Sequence, residues 1–429
     1  MQVRIQTVCC GPVQLGRLVD VMMTRLGCAA LLLLIALSAG GLAETGAVWD
    51  EAIGASAFGV LQTDMHWEFE GGWVRPHPGP FIWGWIERSP GTYDWRELDS
   101  TVEKLQSRGL AILATVWPFA SWDQAACHGS QPRAQGAFRE LGNLLYAPCD
   151  MEAYLAWLRA MVERYDGDGV HDMPGLRHPV RHWEILNEPE MQGPELCFFQ
   201  EDPQVYADLL RVSYEAVNAA DPDAVVLPAG QSGMHSEAVD YWQPILADPT
   251  VPFDIGNIHS IRCSEIQEDA AFWGPEYAEF LLEVGRGAMP YWITEAATGS
   301  VDPRSKGVRN EDVGAQDRFV GTVCALASGA ETIFHCLAYD PLGRKSQLEV
   351  EVFQTLGAAI GSFESTDRIG LSSVRFVLPD RREVYALWNG ARLPASVVGE
   401  VRTTTYLGAV AQKSARDIRA DVPMIVEVP

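Results

Sequence analysis

Short apolar runs and amphipathic patterns alternate along most of the chain between residues 55 and 365. A short apolar run rich in β-branched side chains and bounded by polar turns predicts a parallel strand covered on both faces. Apolar residues spaced three and four apart between these runs predict helices, and their alternation with the strands is typical of an α/β barrel. The eight predicted strands lie at residues 57–61, 72–76, 111–116, 182–188, 224–227, 254–259, 291–295 and 331–337.

Two of these predicted strands end in a glutamate, Glu188 and Glu295. A charged side chain at the end of a buried strand is costly unless it is paired or used. The separation from 188 to 295 leaves room for three βα units of roughly 35 residues each, which places the glutamates on strands 4 and 7 of an eight-stranded barrel. Because all barrel strands open onto one face, we expect the two carboxylates to face each other across a cleft.

The Asn-Glu-Pro tripeptide at 187–189, followed by Trp-Ile-Thr-Glu at 292–295, resembles clan A of the glycoside hydrolases. The resemblance covers roughly residues 55–365 and implies a retaining enzyme on a (β/α)8 TIM barrel. It implies that Glu188 is the acid/base and that Glu295 is the nucleophile, and it implies a carbohydrate substrate and no cofactor or metal.

Within the clan, the sequence resembles families 39, 42 and 5, and it does not decide between the families of the clan. The stretch Phe81–Glu87 followed by Pro90–Trp95 is similar to the loop after strand 2 in families 42 and 39. Asn187 would then bind the hydroxyl next to the reacting carbon. Arg75 matches a strand-2 arginine that contacts the nucleophile in the clan and would keep it ionised, with a surface ion pair as the alternative.

Further candidates for substrate binding lie near other strand ends. His259 matches a histidine that clan members often carry on strand 6, although Ile261 replaces the tyrosine that commonly follows it. Trp117 would stack on a sugar ring or belong to the core. His77 and Tyr339 would line the pocket, with a structural role as the alternative for His77.

Two other functional classes remain open from the residues alone. A catalytically inactive barrel that only binds sugar would lack the catalytic pair, whereas Glu188, Glu295 and Asn187 are all present. A metal-dependent barrel hydrolase would need histidines and carboxylates clustered at several strand ends, and His259 and His335 are the histidines placed for it.

The charge and the N-terminal residues limit which partners and which cellular location we expect for this barrel. The chain has 429 residues and a formal net charge of −25, which argues against nucleic acid or an anionic membrane as partner, although acidity also serves solubility. Residues 1–43 read as a secretory signal peptide, with translation starting at Met22 or Met23. We therefore expect a secreted or periplasmic protein, with a catalytic barrel at 44–368.

The cysteines and the C-terminal residues complete the prediction. Six of nine cysteines remain after signal cleavage; Cys127 and Cys149 lie in one polar loop region and are predicted to pair, whereas Cys324 and Cys336 are predicted to be buried thiols. No pair has the Cys-x-x-Cys spacing of a structural zinc site. Strand-period alternation after residue 369 predicts a small all-β sandwich at 369–429. The oligomeric state cannot be read from these patterns.

Overall fold

A computed structural model describes residues 54–62, 72–128, 144–193, 196–261, 271–298, 311–336 and 346–429. The predicted signal peptide at 1–43 and Tyr339 lie outside these described residues. Within them, no helix combines the length and the apolar character that crossing a membrane requires.

Eight parallel strands form a barrel that is closed by seven regular ladders and one short bridge. The strands are β1 (Phe58–Gln62), β2 (Trp73–Pro76), β3 (Ala111–Val116), β4 (His182–Ile185), β5 (Val225–Pro228), β6 (Gly256–Ile261), β7 (Tyr291–Ala297) and β8 (Ala330–Cys336). Around the barrel the order is β5-β4-β3-β2-β1-β8-β7-β6. The segment that follows β5 meets β6 through an isolated bridge between Gln231 and Ile258. The predicted α/β barrel is confirmed.

Helices alternate with these strands and bury one face. Several begin at capping residues that satisfy free N–H groups of the first turn, as Asp202 does by accepting a hydrogen bond from the N–H of Val205 ahead of Pro203. The described helices are α1 (Trp83–Ile86), α2 (Arg96–Gln106), α3 (Ser121–Cys127), α4 (Met151–Tyr165), α5 (Pro203–Ala220), α6 (Ser236–Ala247), α7 (Gly274–Glu283), α8 (Glu311–Ala327) and α9 (Gln347–Ile360).

The barrel interior changes from apolar to polar along the strands. Trp73, Leu113 and Trp292 belong to one buried apolar cluster that fills its lower part. Side chains of a strand point to the same face every second residue, so the next inward positions on these strands are Arg75, Thr115 and Thr294. All three are fully buried. A polar layer therefore lies directly above an apolar one, on the side where the strands end.

The C-terminal residues are all-β, as predicted, and their described strands lie in one antiparallel sheet rather than in the two sheets of the expected sandwich. The strands are β9 (Ser365–Gly370), β10 (Ser373–Val377), β11 (Glu383–Leu387), β12 (Glu400–Thr405), β13 (Val410–Ser414) and β14 (Met424–Val428). Their order in the sheet is β13-β12-β14-β11-β10-β9. One face of the sheet, including Val384 and Ile425, joins the main core, and the other, including Leu387 and Val426, packs in a smaller cluster of its own.

A disulfide joins Cys127 at the end of α3 to Cys149 just before α4, with the two Cα atoms 5.9 Å apart. Asp123 reinforces this junction, because its carboxylate accepts hydrogen bonds from the backbone N–H groups of Cys149 and Asp150. Among the described cysteines, Cys197, Cys324 and Cys336 are free; the first two are buried and Cys336 is half-buried.

Candidate active site

The chain leaves β4 through an irregular turn that directs two consecutive side chains into the barrel mouth. Leu186 has φ +74° and Glu188 has φ +36°, both in the left-handed region that residues other than glycine seldom adopt. Between them, Asn187 reaches Arg75 on β2, and Glu188 reaches His259 on β6. A regular strand would have pointed these neighbours to opposite faces, so the strained turn is what brings both into the site.

A bulge on β7 also directs two consecutive side chains into the barrel. Ile258 on β6 pairs with Ile293, but the next residue His259 pairs with Glu295, which leaves Thr294 as an extra residue in the ladder. Both Thr294 and Glu295 consequently point into the barrel, where their side chains reach His259 and Arg75 respectively. The strand thereby supplies a hydroxyl and a carboxylate from adjacent positions.

Arg75 lies at the centre of the polar layer and connects three strands. Its guanidinium donates hydrogen bonds of 2.7 Å from Nε to Glu184 Oε2, from one terminal nitrogen to Glu295 Oε1, and from the other to Asn187 Oδ1. The side chain is fully buried, so it depends on these partners to offset the cost of removing its charge from water. The fixed fork of the guanidinium sets the positions of the Glu295 carboxylate and the Asn187 amide.

Glu184 is a site residue to which sequence reasoning assigned no role. It is fully buried, and its carboxylate accepts hydrogen bonds from four side chains. The donors are Arg75 Nε, Thr115 Oγ1, Asn257 Nδ2 and Thr294 Oγ1, at 2.6 to 3.1 Å. The signal that could have found it is an ionisable residue in the middle of an apolar strand run, which is rarely tolerated without a partner.

Glu188 occupies a nearly dry position beside His259. Its Oε1 lies 2.7 Å from His259 Nδ1, and 6% of the residue is exposed. Burial raises the pKa of Glu188 to about 7, with Arg75 acting to lower it and Glu184 to raise it. The carboxyl therefore keeps its proton at a pH where an exposed glutamate would have lost it, which suits a general acid.

Glu295 lies close to Glu188 but has a different charge partner. Burial raises the pKa of Glu295, and Arg75, 2.7 Å away, together with His259 acts against that rise. A carboxylate oxygen of Glu188 and one of Glu295 lie within 4.8 Å of each other. The structure thus brings the two glutamates together, and of the two only Glu295 accepts a direct hydrogen bond from the arginine, which favours its charged form.

Asn187 presents a free donor to the mouth of the barrel. Arg75 binds its Oδ1, which fixes the orientation of the amide and turns Nδ2 the other way. Nδ2 is buried and has no hydrogen-bond partner among the described residues. A buried N–H group without a partner is unfavourable, so the position is arranged to receive an acceptor from outside the chain.

The other predicted binding residues lie at different distances from this centre. His77 Nε2 is 3.9 Å from Glu295 Oε1, and its ring lies 5.5 Å from that of Trp117. Trp117 is fully buried between His77, Phe119 and Phe198, and in this arrangement its ring presents no open face. His335 accepts a hydrogen bond from Arg318 on α8, outside the barrel interior. Tyr339 lies outside the described residues.

One set of site residues has the chemistry and spacing to hold a cation. Glu188, His259 and Glu295 each offer one ligand atom, and these atoms lie within 4.8 Å of one another. They are also the residues of the candidate catalytic pair. Two other groups lie elsewhere in the described chain: Cys127, His128 and Cys149, in which the sulfurs form the disulfide, and the three acidic side chains Asp166, Asp168 and Asp172.

Comparison with known proteins finds similar structures but no similar sequence. No protein-family model matches the chain, and no curated protein sequence matches it. Among solved structures, a GH39 enzyme from Xanthomonas axonopodis pv. citri superimposes with a TM-score of 0.56 at 15% identity, covering 90% of this chain and 96% of that one.

Two further structures give similar values. A glucosidase from Croceicoccus marinus has a TM-score of 0.52 at 12% identity over 83% of this chain and 89% of its own. A xyloglucanase of glycoside hydrolase family 44 from Paenibacillus polymyxa has a TM-score of 0.52 at 11% identity over 88% and 97%. At these identities the comparison establishes a shared fold, and this fold is common to several families of glycoside hydrolases.

Proposed function

We propose that this chain is a retaining glycoside hydrolase that cleaves O-glycosidic bonds of oligo- or polysaccharides. The observation that carries the proposal is the meeting of Glu188 and Glu295 within 4.8 Å, one beside a histidine and the other beside an arginine. Carboxyl groups about 5 to 5.5 Å apart are typical of retaining enzymes, whereas inverting enzymes hold them about 6.5 to 9.5 Å apart to admit a water.

In the first step, the ionised carboxylate of Glu295 attacks the anomeric carbon of the bound sugar. The bond from that carbon to the leaving oxygen breaks as Glu188 transfers its proton to this oxygen. The product is a glycosyl ester on Glu295, and Glu188 is left as a carboxylate. The raised pKa of Glu188, about 7, supplies the protonated acid that this step consumes.

In the second step, the Glu188 carboxylate takes a proton from a water molecule while the water oxygen attacks the anomeric carbon. The ester bond to Glu295 breaks, the carboxylate of Glu295 is restored, and Glu188 is again protonated. The sugar leaves with its original anomeric configuration because the carbon has been inverted twice. The Glu295–Arg75 ion pair favours the ionised nucleophile at the end of the cycle.

Asn187 is proposed to bind the hydroxyl next to the reacting carbon. Its Nδ2 donor is buried, lacks a partner in the described chain and is oriented by Arg75. A hydrogen bond there strengthens as positive charge develops on the sugar ring, so it contributes more to the transition state than to the bound substrate.

The proposal is tested by screening the full chain on a panel of nitrophenyl glycosides and polysaccharides. We expect hydrolysis that is lost in Glu188→Gln and Glu295→Gln and kept in the control Glu331→Gln, which changes an exposed glutamate on β8. Proton NMR of the first product should show the anomeric configuration of the substrate. Product of the opposite configuration would overturn the retaining mechanism, and hydrolysis that survives both glutamine variants would overturn the site.

A metal-dependent hydrolase is the second candidate, because Glu188, His259 and Glu295 could together hold a cation. Arg75 already binds the Glu295 oxygen at 2.7 Å and would compete with the charge of a metal there. Dialysis against a strong chelator separates the two functions. We expect unchanged hydrolysis; loss of activity that returns with an added divalent cation would favour the metal-dependent reaction.

Export is proposed on the strength of the N-terminal sequence, in which Arg25 precedes an apolar stretch at 29–37 and small residues reach Ala43. The test is expression of the full chain in a bacterium, followed by N-terminal sequencing of the protein recovered from the periplasm or medium. A mature N-terminus near Glu44 would support the proposal, and an unprocessed protein retained in the cytoplasm would contradict it.

A further inference from the structure

A continuous series of hydrogen bonds runs behind the proposed acid/base Glu188. His259 lies between Glu188, at 2.7 Å from Nδ1, and Thr294, at 2.8 Å from Nε2. Thr294 continues to Asn257 Oδ1 at 2.7 Å, and Asn257 continues to Glu184 at 2.7 Å. All five residues are nearly or fully buried, so the donor and acceptor at each link are determined by the groups in the series.

Asn257 fixes the direction of the series at its far end. Its Nδ2 donates to Glu184 Oε1 and to the backbone carbonyl of Pro228, at 2.7 and 3.0 Å. Both partners are acceptors. The Pro228 oxygen is a carbonyl, and the Glu184 carboxylate also receives hydrogen bonds from Arg75 and Thr115. The reverse amide orientation would place Oδ1 against these two oxygens. Asn257 Oδ1 must therefore face Thr294, as an acceptor.

The hydrogen bonds of Thr294 decide which nitrogen of His259 carries the proton. Its hydroxyl has a single proton, and Asn257 Oδ1 at 2.7 Å and Glu184 Oε1 at 3.1 Å are both acceptors for it. A hydroxyl that donated to His259 instead would leave its oxygen facing two others with no proton between them, which is costly in a buried site. Thr294 consequently accepts from His259, and the imidazole proton is on Nε2.

The assignment on Nε2 leaves a lone pair on Nδ1, directed at the carboxyl of Glu188. We propose that Thr294 and Asn257 are positioning residues that hold His259 in the Nε2–H tautomer, so that the proton shared with Glu188 belongs to Glu188. The inference rests on the proposed function and deepens it, because it assigns to two further residues the role of keeping Glu188 protonated. Neither residue touches the reacting atoms in this scheme; both act through the histidine.

The electrostatics of the site agree with a neutral imidazole. Burial lowers the pKa of His259 to about 4, against Glu295, which raises it. The charged and titratable groups facing Glu188 and His259 come from three strands and the segments that follow them. They are Arg75 on β2, His77 after it, Glu184 on β4, Glu190 after it, and Glu295 on β7.

The same tautomer assists both halves of the reaction. Before the first step, the Nδ1 lone pair accepts the O–H of Glu188 and favours its protonated form. After the proton has gone to the leaving oxygen, the carboxylate faces a lone pair, which raises its affinity for a proton and makes it a stronger base toward water. A histidine with the proton on Nδ1 would instead stabilise the carboxylate and weaken Glu188 in both roles.

The tautomer is measured directly by NMR of the full chain labelled with 15N-histidine. At pH 6, with His259 assigned by the signal lost in His259→Gln, we expect the Nε2–H pattern in the unmodified chain. We expect Thr294→Val, which removes the hydroxyl at similar volume, to populate the Nδ1–H form. An Nδ1–H pattern in the unmodified chain would overturn the inference, and this readout does not depend on any activity.

Kinetics supply the second readout. We expect Thr294→Val to move the alkaline limb of the pH profile of kcat/KM down by about one unit, and Thr294→Ser, which restores the hydroxyl, to return it. The decrease in kcat/KM caused by Thr294→Val should be small for a dinitrophenyl glycoside, whose leaving group needs little acid assistance. A uniform loss at every pH and for every leaving group would show a merely structural role. No hydrolysis by the unmodified chain would defeat the proposed function and leave the tautomer measurement valid.

Discussion

Two fully buried arginines, Arg75 in the barrel mouth and Arg318 on α8, have similar partners but differ in the charge balance of their surroundings. Arg318 binds Glu349 through two nitrogens at 2.6 and 2.9 Å, and it donates to His335 Nδ1 at 2.7 Å and to the carbonyl of Cys336. Thr298 donates to the other oxygen of Glu349. Among the described residues, one positive group is thus matched by one negative group, and both carboxylate oxygens of Glu349 accept hydrogen bonds.

The Arg75 cluster contains more carboxyl groups than its single arginine can neutralise. Arg75 binds both Glu184 and Glu295, and Glu188 lies within 4.8 Å of Glu295. The cluster also contains an unpartnered donor, Asn187 Nδ2. The comparison teaches that a buried arginine–glutamate–histidine group is not in itself a functional signal. The surplus of carboxyl groups distinguishes the site from the structural ion pair. An unused donor does not, because the buried Nε2 of His335 beside Arg318 also has no hydrogen-bond partner among the described residues.

The largest expected effect is a loss of activity when the Arg75 cluster is changed. Glu295→Gln removes the proposed nucleophile and should lower kcat/KM on the order of 10⁴-fold, with the chain still folded because a surplus negative charge has been removed. Initial rates with a nitrophenyl glycoside, together with a circular dichroism melting curve, check both parts. A variant that keeps a tenth of the activity would contradict the assignment.

The second effect separates the clusters by stability. Glu349→Gln leaves Arg318 buried without its carboxylate, so the free energy of unfolding should fall by about 3–5 kcal/mol. The kcat per folded molecule should stay unchanged, because within the described residues the pair makes no hydrogen bond or ion pair with Arg75, Glu188 or Glu295. Urea denaturation gives the first quantity and rates normalised to folded protein give the second. Lost turnover in the folded fraction would make the Arg318 cluster part of the machinery.

The third effect is the pH dependence of stability that follows from the surplus carboxyl group. Burial raises the pKa of Glu188 from 4.5 to about 7. A raised folded-state pKa gives a contribution that is present below about pH 4.5 and is lost as pH rises through 7, amounting to about 3 kcal/mol. Glu190, whose burial also raises its pKa to about 7, adds in the same direction.

Unfolding in urea at pH 5 and pH 7.5 measures this difference. We expect a smaller decrease in the free energy of unfolding over that interval in Glu188→Gln than in the unmodified chain, because glutamine does not titrate. The matched control Glu190→Gln should remove only its own part. Equal decreases in all three proteins would mean that neither carboxyl carries a raised pKa.

The smallest effect tests how closely the site is packed. A Cβ on Gly230 would overlap the imidazole ring of His259, so Gly230→Ala should displace the histidine from Glu188. A misplacement of about 1 Å in such a group lowers kcat/KM by about 10²-fold. Gly357→Ala on α9, where a Cβ would meet no neighbour within 4 Å, is the control and should leave the rate unchanged. Equal rates in the two variants would show that His259 tolerates the displacement.

The parts of this structure that follow from local pattern could be predicted from sequence. β3 occupies Ala111–Val116 as the apolar run indicated, Glu295 lies on β7, and Glu188 lies in the turn that follows β4 and not on the strand itself. Arg75 was predicted to contact Glu295 and does so. The strand and the glutamate positions follow from residue spacing within one strand, whereas the Arg75 contact was implied by the resemblance to the glycoside hydrolases.

The remaining parts depend on how distant strands are aligned. The bulge that turns both Thr294 and Glu295 inward depends on how β7 is aligned with β6. The sequence of β7 alone therefore does not predict it. The bond between Asn257 and Glu184 likewise joins strands 73 positions apart. Trp117 shows the same gap, since the pattern gave an aromatic residue at a strand end but could not tell that its ring is fully buried.

The disulfide between Cys127 and Cys149 has a consequence for how this protein can diversify. It fixes two points of the scaffold 5.9 Å apart, and Asp123 binds the backbone on the far side of the bond. The stretch between the cysteines therefore starts and finishes at anchors that do not depend on its own length or composition. A change in this stretch that keeps the buried Leu145 would therefore leave the two anchors, and the strands that carry the carboxylates, in place.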